Sequence, residues 1–124
     1  MLKTLATIAV AIVSLLHFGI LALEMFYWDH EIGREIFSMT AEESALTKTL
    51  AANQGLYNGF LAAGLLWGLL AKKRDVVIFF LLCVIVAGIF GSATAKFTIL
   101  FSQALPAAIA LGLTLLTRSR SALS

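Results

Sequence analysis

Charge is scarce in this sequence and missing altogether from four long stretches. Only 13% of the 124 residues are charged, whereas 60% are hydrophobic, and the mean hydropathy is +0.97. A soluble domain of this length buries only part of its chain, so it does not hide this much apolar surface. The uncharged stretches cover residues 4–23, 49–71, 76–95 and 97–117. Each is long enough to cross a bilayer as a helix, which takes about 20 residues.

Cysteine, proline and catalytic motifs are equally sparse. The one cysteine, Cys83, excludes a disulfide within the chain, and the one proline, Pro106, predicts a kink in the last uncharged stretch with a freed carbonyl near position 102. The glycines form no phosphate-binding loop, and His30-Glu31 lacks the second histidine of a zinc-protease helix. Catalytic residues therefore stay unassigned, no metal site is predicted, and a net charge of +2 gives no reason to expect nucleic acid.

These features predict an all-α integral membrane protein, a compact bundle of four transmembrane helices in a single domain, residues 1–124. Lipid offers no water to backbone groups, so spanning segments are helical. We interpret the first apolar run as a retained helix rather than a cleaved signal peptide. The approximate spans are 4–28, 49–71, 76–93 and 98–117, and the outer loop is 29–48.

The charged residues that do occur separate by side. Basic residues flank the predicted cytoplasmic ends, while five of the seven charges between Asp29 and Lys48 are acidic. The positive-inside rule then places both termini in the cytoplasm and predicts a multi-pass protein of a bacterial cytoplasmic membrane. The aromatic pair Tyr27-Trp28 ends the first span where an interfacial belt is expected. The basic residues used are Lys3, Lys72, Lys73, Arg74, Arg118 and Arg120.

The outer loop carries its own structural signals. Thr40 and Glu43 match a capping box, in which hydroxyl and carboxylate satisfy free amides at a helix start. This pattern predicts that the second long helix begins near Ala41 and runs to about Leu70. Apolar residues ahead of it recur at helical spacing among charged ones and predict a short amphipathic segment: Ile32, Ile36 and Phe37.

Polar side chains inside the apolar stretches mark a candidate ligand site. Glu24 lies near the end of the first helix, and His17 lies two turns before it. Such ionisable groups in a membrane helix face a bundle interior or a watery cavity. Antiparallel packing of the first two long helices predicts that Glu24 lies at the depth of Asn53. The predicted ligand-binding residues are His17, Glu24, Asn53, Gln54, Tyr57, Asn58 and Gln103.

A purely structural role explains the same residues almost as well. Amide and phenol side chains join transmembrane helices at about 0.6–2 kcal/mol per contact, and Glu24 is close enough to the interface to pair with Lys96 or with water. Small residues at four-residue spacing favour close packing within the chain, with contact to a second copy left open. They are Gly55, Gly59, Ala63, Gly64 and Gly68 in the second long helix.

The string from Asn53 to Gly64, Asn-Gln-Gly-Leu-Tyr-Asn-Gly-Phe-Leu-Ala-Ala-Gly, together with His17 and Leu23-Glu24-Met25-Phe26, resembles domain-of-unknown-function family 1304. The resemblance extends over nearly the whole chain. It implies a compact four-helix membrane protein of the bacterial cytoplasmic membrane, and it implies no established activity. The positions of this chain that fit the family's polar pattern are His17, Glu24, Asn53, Gln54, Tyr57 and Asn58.

Three functional hypotheses follow. The preferred one is a membrane binding protein whose polar pocket accepts a small molecule, a lipid or a partner helix. The second is a small proton-coupled transporter in which Glu24 exchanges a proton for a cationic substrate, although Glu24 lies nearer the surface than a central exchange site should. The third is a membrane enzyme holding b-type haem through His17, and no other cofactor is predicted.

Overall fold

The computed structural model describes residues 1–117, so Arg118 and Arg120, which entered the orientation argument, lie outside the described residues. Within that range the chain is helical and contains no strand, which confirms the all-α expectation. The elements are α1 (Leu2–Phe26), α2 (Glu31–Ile36), α3 (Ala41–Leu70), α4 (Arg74–Thr94), a π-helical turn (Leu100–Ala104) and α5 (Leu105–Leu116).

Two of the described helices, α1 and α4, are long and apolar enough to cross a membrane, and the apolar stretch Leu100–Leu116 is shorter. Large apolar side chains are exposed along both helices; Leu15 on α1 and Phe90 on α4 are each 69% exposed. Such surfaces are costly in water and suit lipid. Helix α3 is the longest at 30 residues, but its amide and charged side chains lower its hydropathy. The four-span count stays a prediction.

The chain divides into two compact units. The first, which we call the loop unit, is residues 15–62: the second part of α1, the outer segment with α2, and the first part of α3. The second, which we call the hairpin unit, combines residues 1–14 with 63–124, of which the structure describes the portion up to residue 117. Each unit has its own buried residues.

In the hairpin unit, small residues let helices approach closely. A Cβ added to Gly68 of α3 would lie 2.6 Å from Cγ2 of Val77, and one added to Gly88 of α4 would lie 2.8 Å from the backbone nitrogen of Ala104. At the start of α4, the guanidinium of Arg74 donates to the carbonyl oxygen of Thr114, near the end of α5, at 3.3 Å. A cation there complements the negative end of the α5 dipole.

A π-helical turn lies directly ahead of Pro106, where a kink is predicted. Proline has no N–H and crowds the preceding turn, so an uninterrupted α-helical ladder is excluded there. The chain widens over Leu100–Ala104, where the N–H of Leu105 bonds to the carbonyl of Leu100, and Pro106 then occupies the first turn of α5. The first turn is the position at which a helix tolerates proline.

In the loop unit, α1 and α3 run antiparallel. A Cβ on Gly59 would collide with Leu21, whereas one on Gly55 would lie 2.7 Å from Cγ of Met25. The start of α3 is capped as predicted: the N–H of Glu43 donates to Oγ1 of Thr40 at 3.1 Å, and the N–H of Thr40 donates to Oε2 of Glu43 at 2.8 Å. The capping box is therefore confirmed, and α3 begins at Ala41.

Candidate functional site

The candidate site centres on a hydrogen bond between α1 and α3 of the loop unit. Nδ2 of Asn58 donates to Oε1 of Glu24 at 2.6 Å and to the backbone oxygen of Gln54 at 3.1 Å. These two bonds use both N–H groups of the amide, which fixes its orientation. A carboxylate accepts several hydrogen bonds, so the oriented Glu24 has capacity for further donors.

The helix register differs slightly from the sequence expectation. Antiparallel packing predicts Glu24 at the depth of Asn53, but a Cβ on Gly55 would lie 3.0 Å from Cβ of Glu24, and the carboxylate bonds to Asn58. Glu24 therefore lies at the level of Gly55, two residues or about 3 Å further along α3 than Asn53. This register follows from Gly55 and Gly59, because α1 packs closest to α3 where α3 has no side chains between the two helices.

Three other predicted site residues lie on the exposed surface of α3 rather than beside the Glu24 carboxylate. Asn53, Gln54 and Tyr57 all occupy exposed positions of α3. Tyr57 is 58% exposed, and its ring lies edge-on to that of Phe60 with centroids 6.0 Å apart. Their assignment to a ligand site stays a prediction.

His17 and Gln103 complete the predicted set. His17 is 1% exposed, within the part of α1 that belongs to the loop unit, so its ring does not face an open cleft. Its assignment as a haem ligand stays a prediction. Gln103 belongs to the hairpin unit, where it is half-buried in the π-helical turn. Among residues 1–117, no three His, Cys, Asp or Glu side chains are grouped so as to hold a metal ion.

Four of the five small residues considered for contact with a second copy are engaged within the chain. In the loop unit, Gly55 and Gly59 adjoin Met25 and Leu21. In the hairpin unit, a Cβ on Gly64 would meet the ring of Phe80, and one on Gly68 would meet Val77. These contacts are the packing within one chain that the spacing favoured.

Sequence reasoning missed a second polar cluster, which ties the outer segment to α3. Nε1 of Trp28 donates to Oγ1 of Thr47 at 2.9 Å. One residue later, Oδ1 of Asp29 accepts from Oγ of Ser44 at 2.7 Å and from Nη1 of Arg34 at 3.1 Å. In the sequence, Trp28 indicated only an interfacial belt, and Asp29 counted only as one of the acidic charges of the outer loop. These pairings join residues that are 15 and 19 positions apart in the sequence, so no local pattern indicated them.

The hydrogen bonds and charges of this cluster shift the pKa of Asp29. The hydrogen bond from Ser44 holds the pKa of the Asp29 carboxyl below its usual value, against partial desolvation and with help from the charges of Arg34 and Lys48. Ser44 is fully buried, whereas the Asp29 side chain is 30% exposed. An ion pair this exposed contributes little by itself, so the buried hydroxyl is the stronger part of the contact.

Gly33 lies where α2 packs against the backbone that follows α1. A Cβ at this position would overlap the carbonyl oxygen of Tyr27 and lie 2.7 Å from that of Trp28. Both obstacles are backbone atoms, so no side-chain rotation relieves them. The short helix α2 thus packs directly on the chain that leaves α1, with the rings of Trp28 and Phe37 4.7 Å apart.

The described residues thus define a small all-helical protein with helices suited to a membrane. The chain belongs to the family described as "Protein of unknown function (DUF1304)", whose model matches residues 11–115. It is similar to an uncharacterized protein, YpaA, of Lactococcus lactis subsp. lactis (strain IL1403), with 31% identity over 105 residues that cover 81% of this chain and 88% of that protein. No solved structure matches the chain. The family resemblance found in the sequence is confirmed.

Proposed function

We propose that this chain is a multi-pass protein of a bacterial cytoplasmic membrane, with four spans and both termini in the cytoplasm. The apolar character of α1 and α4 supports the proposal. So does the basic run Lys72-Lys73-Arg74 between α3 and α4, set against the acidic outer segment. Helix α3 spans in this arrangement despite its polar side chains, because other helices or bound groups satisfy them.

Within that membrane protein, we propose that Glu24 is the centre of a binding site for an ammonium or hydroxyl group of a lipid headgroup or small molecule. The observation that carries the proposal is the 2.6 Å bond from Asn58, which orients the carboxylate between α1 and α3. Glu24 is two residues from the end of α1 at Phe26, about 3 Å along the helix axis. That depth suits the boundary between acyl chains and headgroups.

An ammonium donor is favoured because hydrogen bonds between charged partners are about twice as strong as neutral ones. A primary ammonium donates three hydrogens, whereas the quaternary ammonium of a choline headgroup donates none. The hydrogen bond from Asn58 to Oε1 fixes the orientation of the whole Glu24 carboxylate. The site therefore distinguishes ethanolamine from choline headgroups by hydrogen bonding rather than by charge.

The proposal is tested by native mass spectrometry of the purified full chain with equimolar phosphatidylethanolamine and phosphatidylcholine. We expect preferential retention of the ethanolamine lipid, reduced about tenfold by Glu24→Gln, the range of a lost charge-assisted bond. Glu42→Gln, which removes an exposed carboxylate in the first turn of α3, is the matched control and keeps the preference. Equal retention of both lipids by the unmodified chain and by Glu24→Gln contradicts a lipid site.

A soluble ligand is separated from a lipid by a second arm with octylamine. If octylamine raises the unfolding temperature of the detergent-solubilised chain, but not of Glu24→Gln, while lipid selectivity is absent, the site takes a small amine. The transport hypothesis predicts in addition that octylamine releases protons, and that Glu24→Gln abolishes the release. The haem hypothesis predicts a Soret band that His17→Ala removes.

A further inference from the structure

One face of α3 follows a heptad pattern. Leu46, Leu50, Asn53, Tyr57 and Phe60 succeed one another at intervals of four, three, four and three residues. The mean interval of 3.5 residues is the repeat with which two helices pack side by side in a left-handed coiled coil. All five positions belong to the loop unit, one compact part of the chain.

This heptad face is not covered by the loop unit. Its four large apolar and aromatic side chains are 56–77% exposed, and Asn53 is exposed as well. The face that α3 turns to α1 is a different one, built on Gly55 and Gly59. Leu46 is the most exposed of the set at 77% and precedes the predicted span, which begins at residue 49.

The polar members of the heptad face need hydrogen-bond partners. Asn53 and Tyr57 lie in the part of α3 proposed to span the membrane, where lipid offers no donor or acceptor. The flanking Gln54 is also exposed. An asparagine amide carries both donors and an acceptor, so it is complementary to a second asparagine across a two-fold axis. The face bears no charge that would repel an identical surface.

We propose that the heptad face of α3 is the contact surface for a second copy of this chain. Copies inserted in the same orientation are related by an axis along the membrane normal, so their α3 helices run parallel and cross at about 20°. Asn53 pairs with Asn53 of the partner subunit, as a single asparagine sets register in parallel coiled coils. The apolar positions pack above and below this polar pair.

Cysteine crosslinking of the full chain in lipid vesicles tests the surface directly. In a Cys83→Ala background, Leu50→Cys is compared with Leu15→Cys, since the two leucines are 67% and 69% exposed and Leu15 lies on α1. We expect mild oxidation to yield a covalent dimer with Leu50→Cys and little with Leu15→Cys. Equal crosslinking of both, or crosslinking by Leu15→Cys alone, overturns the proposal.

The equilibrium between monomer and dimer is measured by single-molecule photobleaching at increasing lipid dilution. The unmodified chain is compared with the Leu50→Ala and Asn53→Asp variants. Loss of one polar contact between membrane helices corresponds to about threefold to thirtyfold weaker association; Asn53→Asp is expected at the upper end or beyond, because two carboxylates then meet. Leu15→Ala is the matched control for Leu50→Ala and leaves the dimer unchanged. A chain that is monomeric at all lipid dilutions, or a dimer insensitive to both variants, excludes this contact surface. Neither outcome bears on the lipid selectivity of Glu24.

Discussion

Asn58 and Glu24 are 34 residues apart in sequence, yet the amide nitrogen of one lies 2.6 Å from a carboxylate oxygen of the other. The pair fastens α3 to α1 at the level of Gly55, which leaves room for the approach. Since the same amide also bonds to the backbone of Gln54, its position is determined from two sides. The orientation of the Glu24 carboxylate is therefore fixed, as the proposed binding site requires.

Breaking this pair is expected to destabilise the chain. Asn58→Ala leaves the half-buried Glu24 carboxylate without its donor, at a cost of about 1–3 kcal/mol. Glu24→Gln keeps an acceptor oxygen opposite Asn58 and is expected to cost less. The measurement is the free energy of unfolding in mixed detergent micelles. Glu24→Ala with Asn58→Ala completes a double-mutant cycle, and additive effects of the two single changes would show that they do not interact.

Gly33→Ala is expected to disrupt the outer segment. The added methyl group meets the backbone oxygens of Tyr27 and Trp28, and such overpacking costs about 1–3 kcal/mol or more. Gly19→Ala is the matched control, because a Cβ there meets nothing within 4 Å. Removing a helical glycine at that position stabilises by roughly 0.5–1 kcal/mol. Thermal unfolding of both variants checks the pair, and equal midpoints would contradict the packing described at Gly33.

Gly88→Ala probes the hairpin unit in the same way. The new methyl group would lie 2.8 Å from the backbone nitrogen of Ala104 and 2.9 Å from its Cβ, so α4 and the π-helical turn must separate. We expect a loss of about 1–3 kcal/mol. Gly112→Ala, in α5 with open space around the added atom, is the control. If the two variants unfold at the same detergent concentration, the close approach at Gly88 is not present in the membrane.

Asp29 is expected to make stability depend on pH in the acid range. Because the folded state lowers the pKa of this carboxyl, its contribution is complete above the unfolded value of about 3.9 and is lost as the pH falls through the folded value. Asp29→Asn should therefore be less stable than the unmodified chain at pH 7, and the difference should shrink between pH 5 and 3.

The pH series is measured as unfolding midpoints at constant ionic strength. Ser44→Ala removes the main hydrogen bond to Asp29 and should reproduce most of the effect while keeping the carboxylate. Glu42→Gln controls for the loss of one negative charge. A difference between Asp29→Asn and the unmodified chain that stays constant from pH 7 to pH 3 argues against a stabilising carboxylate.

Local signals in the sequence predicted the helical elements and, for α3, the residue at which the helix begins. The capping box placed the start of α3 at Ala41, and the proline at 106 predicted a kink in the last helix, because both act within one turn of the chain. The apolar stretches required helices because lipid satisfies no backbone group. The polar string in α3 indicated the family. Each of these conclusions depends on neighbouring residues alone.

What the sequence by itself determined is thus the all-helical class, the start of α3 and the set of polar residues available for a site. Only the tertiary structure decided that Glu24 meets Asn58 rather than Asn53, that Trp28 and Asp29 bond to α3, and that Asn53 and Tyr57 face outward. The register of one helix against another depends on where glycines permit close approach. A small shift of one helix along the other leaves the periodicity of each helix unchanged while it changes the contacts between the two.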